Sequence, residues 1–251
     1  MNVIETRALT KIYRRGLRRP PIRAADALDI AVVRGEIFGF LGPNGAGKTT
    51  TIKILMGLTS PTSGEAFILG EPLGNVAARR RIGFLPENPS LHAFLTGRQA
   101  IEFYAGLHGI AKKHARSRIA DLARTLRLRD ELALPLSRQS RGMVQKIGLA
   151  QAMVNDPELL ILDEPMSGLD PIGRRDLRAA MLELKERGRT IFFSSHIMAD
   201  VEMVCDRAGM LIGGKLTRVV DLGEHRAKSD MSLEDLFIEE IRAHHAEGGK
   251  P

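Results

Sequence analysis

The stretch Gly42-Pro43-Asn44-Gly45-Ala46-Gly47-Lys48-Thr49 constrains this 251-residue chain more than any other. It fits G-x-x-x-x-G-K-[ST], a phosphate-binding loop. Before it, Glu36 to Leu41 (EIFGFL) reads as a short buried strand; after it, Thr50 to Met56 reads as a helix that stops at Gly57. A strand feeding a glycine-rich loop and then a helix is the context this motif needs. Glycines let backbone N–H groups converge on an anion with no Cβ in the way. The helix N-terminus adds partial positive charge. Lys48 offers a mobile cation for the outer phosphates, and the Thr49 hydroxyl is a hard oxygen donor suited to Mg²⁺.

Strand signals continue along the chain. Residues 3–13 and 26–33 read as strands joined by a basic, proline-containing loop. Further strands are expected at 66–69, 82–85, 159–162, 190–194 and 210–212. Several are nearly continuous apolar runs, as in strands covered on both faces. From about Leu91 to Val154 no strand is expected and helical periodicity takes over. Thr96 and Gln99 have capping-box spacing. Ile119, Leu122, Ala123 and Leu126 form one stripe, and Met143, Ile147, Ala150 and Val154 another, ended by Pro157. Near the end, Gly213-Gly214 reads as a hairpin turn leading into Lys215–Val219. Ser232 and Asp235 have capping spacing, with Leu233, Leu236, Phe237 and Ile241 as a helix face. The final AHHAEGGKP is expected to fray; its His244-His245 pair reads as solvated or as a metal ligand without companions. The fold class is therefore α/β: a mixed, largely parallel sheet with an N-terminal antiparallel part and an inserted helical subdomain. The expected domains are a core over 1–90 and 156–220, a helical subdomain over 91–155 and a short helical tail over 221–251.

Two acidic residues end the apolar run Leu159-Leu160-Ile161-Leu162. Sites in open α/β sheets form at the carboxyl ends of strands. Asp163 there can hold Mg²⁺ directly or through water, and Glu164 can act as a general base toward a water, a role worth roughly 10²–10⁴ in rate. A loop-facing acidic pair is the alternative. Ser167-Gly168-Leu169-Asp170 follows at once. The strand at 190–194 runs into Ser195 and His196, and a histidine at a strand's carboxyl end can bond a phosphate oxygen and a water together. Ser140 opens an amphipathic helix in Gln139-Ser140-Arg141-Gly142-Met143. It reads either as a helix cap or as part of an anion-binding N-terminus.

These pieces, in this order, resemble an ATP-binding-cassette (ABC) ATPase over nearly the whole chain. Gly42–Thr49 matches the family's Walker A loop, with Thr50 just behind it, and Leu159–Glu164 matches Walker B. Ser167–Asp170 matches the D-loop, His196 the switch histidine, and Ser140-Arg141-Gly142-Met143 the signature motif. The resemblance implies that ATP and Mg²⁺ are bound. It implies catalytic roles for Lys48, Glu164 and His196, and nucleotide contacts from Ser140, Gly142 and Asp170. Tyr13 falls where the family stacks an aromatic on adenine, or it packs in the core as a strand-end tyrosine. Two positions depart from the pattern. Gln139 and Arg141 replace a leucine and a glycine of the signature, and Glu87, beside Asn88, stands in the slot of the usual glutamine. A carboxylate at Glu87 can ligate Mg²⁺, giving Thr49, Asp163 and Glu87 as the metal set.

The family implies a head-to-tail dimer, with ATP between the phosphate loop of one copy and the signature serine of the other. One of each motif means that this chain pairs with itself or with a similar chain. No run of 18 apolar residues exists, and the N-terminus lacks the basic-then-apolar order of a signal peptide. The lone Cys205 fits a reducing cytosol and core packing. A motor subunit at the cytoplasmic face of the inner membrane, bound to a separate integral permease, is the first reading. The tail Ser232–Phe237 (SLEDLF) resembles ATPases that serve ABC-2 type exporters. The alternative is a soluble cassette acting on nucleic acid or ribosomes. A net charge of +7, with clusters at Arg14, Arg15, Arg18, Arg19, Arg23 and at Lys112, Lys113, His114, Arg116, Arg118, keeps that alternative open. The clusters equally suit an anionic membrane or plain solvation. Only 4% of residues are aromatic and none interleaves with the basic runs, so no nucleic-acid partner is expected. A small-molecule kinase would leave Ser140, Asp170 and His196 unexplained.

Overall fold

The computed structural model describes residues 1–14, 20–128, 130–228 and 231–246. In chain order, β1 (Asn2–Tyr13), β2 (Ile22–Leu28), β3 (Ala31–Val33) and β4 (Ile37–Leu41) precede α1 (Lys48–Leu55). Then come β5 (Ser63–Ile68), β6 (Glu71–Pro72), α2 (Val76–Arg79) and β7 (Ile82–Leu85). Three helices follow: α3 (Gly97–Leu107), α4 (Lys112–Thr125) and α5 (Arg141–Met153). After β8 (Leu159–Leu162), α6 (Pro171–Glu186), β9 (Thr190–Ser195) and α7 (Met198–Val204), the chain forms β10 (Arg207–Ile212) and β11 (Lys215–Asp221). It ends in α8 (Leu222–Lys228) and α9 (Leu233–Ala246). The residues form two compact units, Met1–Arg79 with Phe192–Pro251, and Arg80–Ile191.

In the first unit, an antiparallel sheet runs β2-β1-β5-β6, with β3 also on β1. A second sheet is mixed: β10 pairs parallel with β4 and antiparallel with β11, and β9 lies beside β4. All five residues of β4 are buried. Their alternation explains why. Phe38 and Phe40 lie against Phe192, at ring separations of 5.8 and 5.4 Å. On the other face a Cβ at Gly39 would lie 2.6 Å from Val201 and 2.9 Å from Cys205, so α7 packs directly on the backbone. Each buried phenylalanine contributes about 2 kcal/mol of apolar burial, which anchors the strand that delivers the glycine loop. Cys205 is buried there, as expected.

In the second unit, β7 and β8 pair in parallel, with Leu85 beside Leu162. Thr96 accepts from the Gln99 amide at 3.2 Å while the Gln99 side chain accepts from Thr96 N at 2.9 Å, the capping box read from the sequence. No strand occurs among the described residues from 91 to 154, only a bridge between Thr96 and Pro135. Of the stripe on α4, Ile119, Leu122 and Leu126 are buried and Ala123 is half-buried.

Some expectations need correction. The strand expected over 26–33 is two strands, β2 and β3, because Asp29 turns its carboxylate to the Ala8 amide (2.7 Å) and Ile30 N bonds to Thr6 Oγ1 (2.8 Å). Met143, placed in the apolar stripe of α5, is 37% exposed because it lies in the first turn, ahead of the buried part of the helix. Ala243–Ala246 belong to α9 rather than to a frayed end, while 247–251 lie outside the described residues. The stretch expected as a helical tail over 221–251 holds two helices among the described residues, α8 and α9. Arg118 is no solvated charge: it bonds to Asp156 at 2.5 Å and to the Met153 carbonyl at 3.1 Å. Arg23 pairs with Asp26 at 2.7 Å; Arg15, Arg18 and Arg19 lie outside the described residues. The glycine turn at Gly213-Gly214 is as expected, with φ of 55° and 84°.

Candidate functional site

The first unit carries the phosphate loop. It leaves β4 at Leu41 and enters α1 at Lys48, with Gly45 at φ 85° and Gly47, the residue before the helix, at φ 112°. Both lie where an L-residue is strained. Space excludes side chains as well. A Cβ on Gly47 would run into the Ala24 carbonyl, and one on Gly42 would lie 2.6 Å from the Leu211 carbonyl. Neighbouring backbone props the loop from both sides. Gly42 N donates to Ser195 O (3.3 Å), and Gly214 N donates to Ala46 O (3.0 Å). Pro43, Asn44 and Gly45 are exposed at the tip and Ala46 is buried beneath it.

Lys48 is only 5% exposed. Its Nζ donates to the carbonyls of Gly42 (2.6 Å) and Pro43 (3.2 Å), so the ammonium is tucked inside the loop it serves. Thr49 and Thr50 are half-buried at the helix start. Thr51, which sequence reasoning passed over, is fully buried and locks the first turn through Oγ1 to Gly47 O (3.1 Å). A hydroxyl four residues past the last glycine of the loop was the available signal.

His196 is exposed at the end of β9, in the same unit. Ser195, buried, turns the chain there: its Oγ accepts from Ile197 N at 2.9 Å. Because Ser195 also holds Gly42, the histidine and the loop share one backbone support. Tyr13 ends β1 opposite Ile22 on β2, the strand whose Ala24 abuts Gly47. At 39% exposure, with the Lys11 ammonium 5.1 Å from its ring centre, it is not a core residue.

The second unit carries the acidic and signature elements. Asp163, 3% exposed, follows β8, and its amide donates to Leu85 O at 2.8 Å. Glu164 is 8% exposed and takes φ 49°, a left-handed conformation costly for a non-glycine residue. Its carbonyl accepts from Ser167 N (3.0 Å), which starts the turn into Gly168. Glu87 lies two residues past the end of β7 and is exposed. Among the described residues no three His, Cys, Asp or Glu side chains gather as a metal cage. Mg²⁺ in general keeps several waters and takes one or two carboxylates plus phosphate oxygens. The donors available, Thr49, Asp163 and Glu87, are all hard oxygens of the right kind.

Ser140 caps α5, accepting from Met143 N at 3.3 Å, and is exposed. The two readings of this serine are compatible, since an accepting oxygen still has its O–H to donate. Gly142 is half-buried. Asp170 caps α6, with Oδ1 accepting from Gly173 N at 2.7 Å, ahead of Pro171 in the first turn. Sequence reasoning noted Asn88 only as the neighbour of Glu87 and missed its contact: it accepts from Arg141 at 3.4 Å. It also missed Asp176, which binds Arg127 at 2.6 Å and Lys146 at 3.2 Å. A lone amide or carboxylate carries no local signal for such partners.

Comparison with known proteins places the chain in a family. The family model described as "ABC transporter" matches residues 25–167. An uncharacterised ABC transporter ATP-binding protein of Synechocystis sp. is 46% identical over 86% of this chain and 62% of its own length. The bacitracin transport ATP-binding protein BcrA of Bacillus licheniformis is 40% identical over 96% of this chain and 77% of its own. Among solved structures, an ATP-binding subunit of an ABC transporter superposes with a TM-score of 0.82 at 32% identity, covering 95% of this chain and 99% of that one. This chain thus spans about three fifths of the first relative's length. A matched family model, relatives of this identity and a shared fold place the chain in the ABC transporter family, as one of its ATP-binding cassettes.

Proposed function

We propose that this chain binds and hydrolyses ATP as the motor subunit of a transporter whose permease is a separate integral membrane protein of the ABC-2 exporter type. The observation that carries the reading is the glycine loop between β4 and α1, with Lys48 tucked inside it. No helix among the described residues is long and apolar enough to cross a membrane, and the proposal assigns the passage to the permease. The chain would then sit at the cytoplasmic face of the inner membrane.

Each residue has a stated role. Loop amides from Gly42 to Thr49 and the α1 N-terminus hold the phosphates. Lys48 exchanges its carbonyl partners for phosphate oxygens and stabilises charge spreading over the leaving group. Thr49, Asp163 and Glu87 would hold Mg²⁺, which would supply positive charge to neutralise the phosphates. Glu164 accepts the proton of the attacking water, and His196 bonds that water or a phosphate oxygen. Tyr13 stacks on the adenine. Ser140 and Gly142 face the nucleotide of a second copy, so ATP joins two chains and hydrolysis parts them. The segment 91–155 is assigned to permease coupling. Phe94, Phe103 and Leu107 support that role, being apolar and 76%, 50% and 67% exposed.

The test is direct. Purified chain with Mg²⁺ should bind ATP and release phosphate without any acceptor, and it should co-purify with a polytopic membrane protein. Absence of adenine-nucleotide affinity would overturn the reading; ATPase activity with no membrane partner would return it to the soluble alternative.

A further inference from the structure

The signature helix of this chain begins with a residue of the wrong charge. Arg141 is the first residue of α5, and no acidic residue follows in the first turn. A cation at a helix N-terminus is the disfavoured sign. Helix stability therefore does not account for it, and the contacts of its side chain offer another reason.

The side chain lies flat across the loop that follows Glu164. A Cβ on Gly168 would be 2.9 Å from both Cδ and Nε of Arg141. Gly168 also takes φ 74°, so a side chain there is excluded twice, by conformation and by the arginine. The adjoining contact is reciprocal: a Cβ on Gly142 would lie 3.0 Å from Cδ2 of Leu169, which is buried. Arg141 covers Gly168 while Leu169 covers Gly142, and the two segments interlock. The far end of the guanidinium then donates to Asn88 Oδ1 at 3.4 Å. The next residue, Pro89, lies 2.9 Å from where a Cβ of Gly148 would stand, so this segment is laid along α5. A separate tie, Lys146 to Asp176 at 3.2 Å, holds α5 to α6 whatever occupies position 141.

We infer that Arg141 is a positioning residue. By spanning Gly168 and Asn88 it holds Ser140, the Ser167–Asp170 loop and the Glu87–Asn88 segment in one arrangement, as the face offered to the nucleotide of a second copy. The inference rests on the ATP-driven pairing proposed above. It adds that the unusual signature and the unusual Glu87-Asn88 pair act together, with the arginine as the link.

The test uses the full chain with Arg141→Ala, Arg141→Lys, Asn88→Ala and the Asn88→Ala/Arg141→Ala double variant. ATP-driven dimerisation is read by light scattering in a Glu164→Gln background, kcat and KM by phosphate release, and backbone order by hydrogen exchange without nucleotide. Arg141→Ala should leave the monomer's affinity for a fluorescent ATP analogue within about twofold, because the phosphate loop is untouched. Dimerisation should weaken about three- to tenfold and kcat should fall to match with KM little changed, the scale of one ordinary exposed hydrogen bond. Arg141→Lys should recover part of the loss. The double variant should be no worse than Arg141→Ala alone, since both ends of one link are cut. Exchange at the Ser167 and Leu169 amides, bonded to Glu164 O and Met166 O, should quicken about three- to tenfold. As a second route, Gly168→Ala should reproduce these effects by pushing the arginine aside.

Two results would overturn the inference. One is unchanged exchange at Ser167 and Leu169 in Arg141→Ala. The other is full additivity of the two single variants in dimerisation, which would make Arg141 a cation acting by itself on the partner's nucleotide. A wild-type chain that fails to bind ATP would strike the functional reading instead. The exchange arm uses no nucleotide and decides the link by itself.

Discussion

The two ends of the proposed chemistry are built in opposite ways. The phosphate loop is a backbone device: glycines at φ 85° and 112°, a buried lysine, and neighbouring carbonyls that leave no room for a Cβ. The signature face is a side-chain device, in which an exposed arginine reaches over a glycine to an exposed asparagine. The first is rigid because steric exclusion offers no alternative conformation. The second is adjustable, because an exposed hydrogen bond on a long side chain is worth only about 1 kcal/mol and can be traded. The proposed cycle, in which phosphate is gripped in every state while the pairing with a second copy changes between states, has use for both kinds of construction.

The largest expected effect probes chemistry carried by the second unit. Glu164→Gln should keep nucleotide binding while slowing phosphate release by about 10²–10⁴-fold, and should accumulate an ATP-held dimer. A variant with normal turnover would remove Glu164 from its role as base. Next is the first unit's own cation. Lys48→Ala should cost about 10²–10³ in ATPase rate and weaken binding as well, so calorimetric titration should distinguish it from Glu164→Gln. Equal binding in both variants would break the contrast between a gripping unit and a proton-accepting one.

Stability sharpens the same comparison. Gly47→Ala places a Cβ on the Ala24 carbonyl at a left-handed φ, and should lower stability by about 3 kcal/mol in urea unfolding. Arg141→Ala should change it by less than about 1 kcal/mol, since its partner is exposed. Similar losses in the two variants would mean that the signature face is as rigid as the loop.

The smallest effect is one of pH. Glu36 lies just ahead of β4, and burial pushes its carboxyl above the usual carboxylate range, against the lowering pull of the Val33 amide and Arg207. The folded state therefore holds this proton more tightly than the unfolded chain does. The stability so gained is complete below the ordinary carboxylate pKa and is lost as pH rises through the raised folded value. Thermal melts between about pH 4 and 7 should show a shallow loss with rising pH that Glu36→Gln removes. Superimposable profiles would rule the effect out.

What the sequence disclosed follows the same division. Elements set by local rules were legible: the glycine loop, the Thr96–Gln99 capping box, the Gly213-Gly214 turn and the strands over 82–85 and 159–162, whose bounds match. The reason is that positive φ, capping and continuous burial each leave a mark within a few residues. Contacts between distant segments left none. Nothing near Asp29 announces that its carboxylate will cap the Ala8 amide and split a strand. Likewise Arg141 was legible as a departure from a pattern, but not as the partner of Asn88, 53 positions earlier.

One prop of the phosphate loop comes from far along the chain. Gly214, in the turn between β10 and β11, gives its amide to Ala46 and its carbonyl to the Asp26 amide at 2.8 Å. During synthesis, then, the anion cradle emerges long before the glycine that braces it. A nascent polypeptide halted short of that hairpin holds the complete motif yet lacks this brace, which is a late arrival in the birth of the molecule.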